Sequence, residues 1–272
     1  MVDLASYLSG QLSPRSPAIP VIFSVAAIAL ASIPAGARAQ DLHLSNRPRF
    51  EMSLTTGMSQ TAPSDIHFSQ PGLGTDATIV DVPWRGHPFQ GSRYYNYRIG
   101  VSGLFRQHHI ALFADMLHYK AYARVEKSRP IIGTWDGVPV NETTPIDDRV
   151  QEFRITNGVN VISLTVQYRW AVQRSHQYPL GRFQPYIGGG PSYYILYPIN
   201  IVDHQGYNHH GYEDSGWGYM FQAGIRYNLF RHTAFLFETR FTRGDADVTI
   251  DQGQAETDLR TMHGLAGLSF DF

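Results

Sequence analysis

The sequence predicts an all-β fold, an eight-stranded antiparallel transmembrane β-barrel with long extracellular loops. The first observation is the stretch Asp258–Phe272, DLRTMHGLAGLSFDF. Met262, Gly264, Ala266, Leu268, Phe270 and Phe272 share one parity; Thr261, His263, Leu265, Gly267, Ser269 and Asp271 share the other. An apolar side ending in aromatics against a small or polar side is how a strand reads when it faces lipid outward and a filled lumen inward. The second observation is that seven more stretches alternate in the same way. The third is that short and long links alternate between them, the pattern of periplasmic turns and extracellular loops. Taken alone, the last stretch also reads as an edge strand of a soluble β-sandwich.

Composition agrees. The 272 residues are 43% hydrophobic and 17% charged, with a formal net charge of −1. No basic stripe is available for nucleic acid, so no such partner is expected. Tyr, Phe and Gly are abundant, which suits aromatic girdles and curved strands. Cysteine is absent, which excludes disulfides and thiolate chemistry.

In chain order, residues 1–39 read as a secretory signal peptide. Arg15 precedes the apolar run Val21–Leu30, and Ala37-Arg38-Ala39 is an A-x-A cleavage site. The run is short for a spanning helix, although an N-terminal anchor is the alternative. The mature chain, 40–272, is then the barrel, inserted into the bacterial outer membrane by the barrel-assembly machinery and surrounded by outer-membrane lipid.

The eight strands are Phe50–Gln60, Arg93–Phe105, His109–Tyr122, Arg154–Trp170, Phe183–Tyr197, Gly216–Asn228, Thr233–Arg243 and Asp258–Phe272. In the fourth, Ile162, Leu164, Val166, Tyr168 and Trp170 oppose Ser163, Thr165, Gln167 and Arg169. The long links are Thr61–Ser92, Ala123–Phe153, Pro198–Ser215 and Gly244–Thr257. The first two hold most of the Pro, Asp and Thr and are expected to be the mobile part. Eight strands leave an interior just filled by side chains, which argues against a pore. Parity places Glu51, Asp115, Glu238 and Asp271 inside, facing Arg98, Arg169, Arg226 and Arg240. Four acids against four bases is what a sealed lumen needs, and the set reads first as a structural ion-pair network.

Motifs of soluble enzymes are missing: no G-x-S-x-G, no P-loop, no H-E-x-x-H. No flavin-, haem- or nucleotide-binding signature is present. Residues that could carry chemistry lie near the outer ends of strands. His118 and Lys120 share the lipid-facing parity of Ile110 and Met116, unless a bulge intervenes. Counting from Phe272 brings His263 and Arg260 to a similar level. Lys120, Arg243 and Arg260 form a cationic rim suited to the phosphates of lipid A, since guanidinium and ammonium groups make charge-assisted bonds to phosphate. Generic adhesion to lipopolysaccharide is the alternative use of such a rim. A second cluster, Asp203, His204, His209, His210, Glu213 and Asp214, could hold a divalent transition metal or be solvated loop.

Three segments carry a family resemblance. FADMLHYKAYA (113–123), NGVNVISLTVQYRW (157–170) and FLFETRFTRGDADV with TDLRTMHGLAGLSFDF (235–248 and 257–272) resemble the outer-membrane lipid A oxidase family. That family would begin its fourth strand His-Gly-Leu-Asn where Asn157-Gly158-Val159-Asn160 stands. The resemblance implies oxidation of the proximal glucosamine of lipid A to an aminogluconate with dioxygen. His118, Lys120, His263 and Glu238 are then the catalytic candidates, and Lys120, Arg243 and Arg260 the phosphate-binding ones. Dioxygen reacts slowly with closed-shell sugars, so a redox-active divalent metal is implied, with His118 and His263 and either Glu238 or Asp245 as its candidate ligands. The non-enzymatic alternative is a barrel for adhesion, lipopolysaccharide binding or membrane integrity. A narrow channel is the third and weakest reading.

Overall fold

A computed structural model describes residues 48–89, 93–104, 109–206 and 211–272. The expected signal peptide, the turn at Arg106-Gln107-His108, and His209 and His210 lie outside the described residues. Thirteen strands follow in order: β1 (Arg49–Thr61), β2 (Ser64–Gln70), β3 (Thr75–Val82), β4 (Trp84–Arg85), β5 (Tyr95–Leu104), β6 (His109–Ala123), β7 (Ser128–Trp135), β8 (Val138–Pro145), β9 (Val150–Arg169), β10 (Phe183–Val202), β11 (Glu213–Phe230), β12 (Thr233–Ile250) and β13 (Gly253–Asp271). Eight of them, β1-β5-β6-β9-β10-β11-β12-β13, pair antiparallel in a ring that β1 and β13 close. These are the eight predicted strands.

The outer face of the ring is apolar and unburied. Leu54, Leu164, Val166, Phe221 and Trp217 expose half or more of their surface, and Met52, Ile99, Leu112, Phe237 and Phe270 nearly as much. An apolar exposure of this extent is stable only against lipid. Aromatic pairs mark both borders of this belt: Phe50 with Phe272 and Tyr168 with Trp170 at the turn end, Tyr193 with Trp217 and Tyr95 with Tyr97 at the loop end.

All eight predicted lumen charges are buried and paired. In the lower layer Arg169 grips Glu51 through both guanidinium nitrogens, at 2.7 and 2.9 Å, while Arg226 bonds Asp271 at 2.6 Å. In the upper layer Asp115 and Glu238 each face both Arg98 and Arg240, at 2.8–3.0 Å. Tyr186 also donates to Glu238, at 2.7 Å. Charges out of water are tolerated because each has its counterpart and further hydrogen bonds.

The two loops expected to be mobile are β-structure around a core. β2 pairs the outer end of β13 and continues the sheet through β3, β7 and β8, while β4 pairs β6. Ile66, Phe68, Ile79, Val82, Ile131 and Trp135 pack against Phe153, Val202, Val248 and Ile250 from the projecting halves of the ring strands. Phe68 sits 5.7 Å from Trp135 and 5.9 Å from Phe153 between ring centroids. The physical reason is the same period of two. In Ser64–Gln70 the buried residues Ser64, Ile66, Phe68 and Gln70 alternate with the more exposed Asp65, His67 and Ser69. The polar residues belong to the solvent side of strands rather than to loops.

Candidate functional site

The candidate residues fall on three separate surfaces. Glu238 lies inside the lumen, with its oxygens committed to Arg98, Arg240 and Tyr186. His263 also points inward, higher up. Both its ring nitrogens are engaged, Nδ1 with the Tyr94 hydroxyl and Nε2 with the Thr242 hydroxyl, each at 2.9 Å. Tyr119 meets it edge-on at 4.9 Å. The expected catalytic set therefore does not converge.

Asp245 is on β12, facing Asp258 of β13 in register. Beside it opens an outer depression of about 740 Å³, lined by Asp65, Asp81, Asp247, Glu256, Asp258 and Arg260 among others. Arg243 and Arg260 are brought together, but by sharing Asp258, at 3.1 and 3.4 Å. Burial, with Glu256 and Asp245 nearby, raises the Asp247 carboxyl above its ordinary pKa. A phosphate here would meet a surplus of carboxylates, so the expected rim of Lys120, Arg243 and Arg260 is not one cationic surface.

The expected metal set, His118, His263 and Asp245, is likewise dispersed. Among the described residues no three His, Asp or Glu side chains group to hold an ion. In the third loop, Asp203 accepts from the Trp135 indole and Glu213 from the Thr249 amide. His118, His263 and Asp245 therefore do not form one ligand set, and the loop set includes His209 and His210, which lie outside the described residues.

His118 is different. It stands on β6 between Tyr95 of β5 and Asn160 of β9, one outward step above the Tyr97–Met116–Ile162 rung. Its parity is lipid-facing, as expected, yet only 3% of its surface is exposed. Two neighbours cover it. The Tyr95 ring lies parallel to the imidazole, 2° apart with centroids at 4.7 Å. On the other side β9 carries Gly158 at φ +113°, a conformation that glycine adopts without strain. Asn160 completes the seat, its Oδ1 2.9 Å from His118 Nδ1.

The Asn160 amide is oriented by its other bonds. Nδ2 donates to the carbonyls of Gly158 and Ile195, both at 3.3 Å, so Oδ1 is the atom that faces the imidazole and accepts its Nδ1–H. The remaining nitrogen, Nε2, is buried with no hydrogen-bond partner among the described residues. An unsatisfied buried acceptor costs about 1–3 kcal/mol, and an unmatched one on the lipid side of a barrel calls for a reason. The crevice that His118 lines, about 690 Å³, is bounded by Tyr95, Met116, Asn157, Asn160, Ile162 and Tyr212.

Just above on the same outer wall stand Lys120, His87 and Arg154, the last paired with Glu152 at 2.8 Å. Tyr122, two steps beyond His118, meets the His87 ring at 4.6 Å and the Arg154 guanidinium at 5.8 Å. Lys120 lies within electrostatic range of both His87 and Arg154. Sequence reasoning missed Tyr95, Gly158 and Asn160 as parts of this seat. The available signal was Gly158 and Asn160 themselves, polar and flexible residues interrupting a strand that otherwise alternates.

The closed ring, the apolar belt and the two aromatic borders define a bacterial outer-membrane β-barrel. The model of the OmpW family matches residues 150–265, which is less than half of the chain. Solved structures similar to it include AlkL in DMPC bilayers (14% identity, 88% of this chain and 97% of that one, TM-score 0.46). OprG from Pseudomonas aeruginosa is similar at 14% identity, with 83% and 94% covered and a TM-score of 0.42. Neisserial surface protein A follows at 12%, with 82% and 97% covered and a TM-score of 0.40. No match was found among curated proteins.

Proposed function

We propose that this barrel engages the phosphosugar headgroup of lipid A at its outer wall and oxidises the proximal glucosamine with dioxygen. The observation that supports the reading is His118, a lipid-facing histidine held in one tautomer with its Nε2 lone pair uncommitted, beneath the Lys120, Arg154 and His87 group. Histidine titrates where a base for an anomeric hydroxyl is needed. Its Nε2 takes the hydroxyl proton, C1 gives up its hydrogen with the electron pair, and dioxygen, the terminal oxidant, takes up both together with the proton from Nε2 and leaves as hydrogen peroxide, so one lactol and one dioxygen yield one lactone and one peroxide. Water then opens the resulting lactone to the aminogluconate, so the product gains one oxygen. Dioxygen reacts slowly with closed-shell sugars, so a redox-active metal would supply the electron transfer, held by residues other than the dispersed set of His118, His263 and Asp245. The chemistry of oxidation rests on the family resemblance, and the place rests on the crevice.

Mass spectrometry of lipid A from cells with and without the protein tests this. A species heavier by one oxygen is expected with the wild type and is lost in His118→Ala while the barrel still inserts. An unchanged spectrum in the wild type would refute the reaction. The dispersal of His118, His263, Glu238 and Asp245 favours a second reading, a lipopolysaccharide-binding or membrane-integrity barrel without turnover. That reading predicts lipid A retained on the purified barrel with an unaltered mass.

A further inference from the structure

We propose that Asn160, Gly158 and Tyr95 are positioning residues for His118: Asn160 fixes the proton on Nδ1, Gly158 makes room for the ring, and Tyr95 caps the imidazole until a headgroup donor replaces it. The inference rests on the crevice being the headgroup site, but its test uses no lipid A.

The argument runs from the seat outward. A β-carbon on Gly158 would stand 2.3 Å from both Cε1 and Nδ1 of His118, and 2.8 Å from Asn160 Oδ1. Only a residue without a side chain lets the ring approach β9 closely enough to bond Asn160. The Asn160 amide is tied to two backbone carbonyls and cannot turn to offer a donor without losing both. The Nδ1–H tautomer is therefore set by the backbone of β9 and β10, and the lone pair stays on Nε2. An uncharged amide does this without adding a charge beneath the lipid-facing wall, where an unpaired carboxylate would be costly.

Nε2 is enclosed, so a ligand reaches it only when something moves. Tyr95 is the cap with the room to do so. It is the first residue of β5, lies on the outer wall, and is held there by ring stacking on His118 and contact with Tyr97 at 5.0 Å. Ring contacts of this kind are worth only about 0.5–1.5 kcal/mol, which a headgroup O–H or N–H donor to Nε2 can replace. The ligand class is thus an outer-leaflet amphiphile with a donor in its polar head, its apolar part lying along Met116 and Ile162, which line the lower side of the crevice.

The test labels the full chain in detergent micelles with diethyl pyrocarbonate, which reacts with a neutral imidazole lone pair, and maps the sites by mass spectrometry. The exposed His232 serves as internal standard. In the wild type His118 should react about two- to tenfold more slowly than His232, the factor that a cap of this strength gives when attack requires a local opening. Tyr95→Ala should remove most of that difference. If Tyr95→Ala fails to insert, Tyr95→Leu keeps the apolar bulk while removing the ring. Nitrogen NMR of the neutral imidazole should report the proton on Nδ1 in the wild type. That signature should vanish in Asn160→Leu, whose side chain offers no acceptor. Unchanged labelling in both Tyr95 variants, or an unchanged tautomer in Asn160→Leu, would overturn the proposal. Both signatures in a protein that leaves lipid A unaltered would uphold it and dismiss the oxidation.

Discussion

The α-carbon of Gly158 lies so close under the His118 imidazole that the two side-chain positions cannot both be filled. Gly158→Ala should therefore displace His118 from Asn160 and add the strain of a side chain at positive φ, at least about 1 kcal/mol. The barrel should still insert, because the rest of β9 keeps its pairing. Heat-modifiable migration on a gel checks insertion, and the lipid A mass shift should be lost. Full retention of that shift would show that the seat is dispensable.

Glu238 behaves as a structural residue in this geometry. Glu238→Ala leaves Arg98 and Arg240 sharing Asp115 alone, and breaking such a buried set costs about 3–5 kcal/mol. Unfolding by denaturant in micelles should show the loss. A variant as stable as the wild type but without activity would return Glu238 to the catalytic candidates.

The apolar belt makes its own demand. Leu164, 65% exposed between Ile162 and Val166 on the lipid-facing part of β9, should tolerate Ala or Ile but not Arg. At that depth an arginine facing lipid costs about 2–4 kcal/mol. Folding into liposomes is the measurement, with Leu164→Ile as the tolerated control.

The outer sheet should be pH-sensitive. Burial raises the Asp203 carboxyl above its ordinary pKa, although the Trp135 indole donates to it. In the window between the ordinary and the raised value, the folded state binds more protons than the unfolded one. Stability therefore falls as pH rises through that window and stays lower above it. Asp203→Asn keeps an oxygen for the indole and removes the slope. Trp135 fluorescence during unfolding, at acidic and neutral pH, compares the two proteins.

Much of the fold was legible because lipid on one side and packed charge on the other impose a strict period of two. Residues such as Leu164 and Arg169 announce their faces without any knowledge of their neighbours. The strands β2, β3, β7 and β8 were not, because Asp65, Asp76 and Asp81 sit beside Ile66, Ala77 and Val82, and composition was weighed above alternation. The site was half legible. His118 and Lys120 were placed on the correct face, but their depth of burial comes from Tyr95 and Gly158, contributed by other strands. His118 and His263 looked equivalent by height, and only the parity of each strand puts the wall between them. Arg243 and Arg260 looked free because the carboxylate they share, Asp258, reaches Arg243 only through the pairing of β12 with β13.

The packed β2–β3–β7–β8 sheet above and the ion pairs below leave the barrel a post rather than a pipe. Under the proposed reading, a ligand of the His118 crevice comes to the flank of the barrel by sliding within the leaflet. Encounter then depends on two-dimensional diffusion and on the perimeter of the post. Stiffening the outer leaflet with divalent cations should slow it, whereas small solutes on either side of the membrane should be without effect.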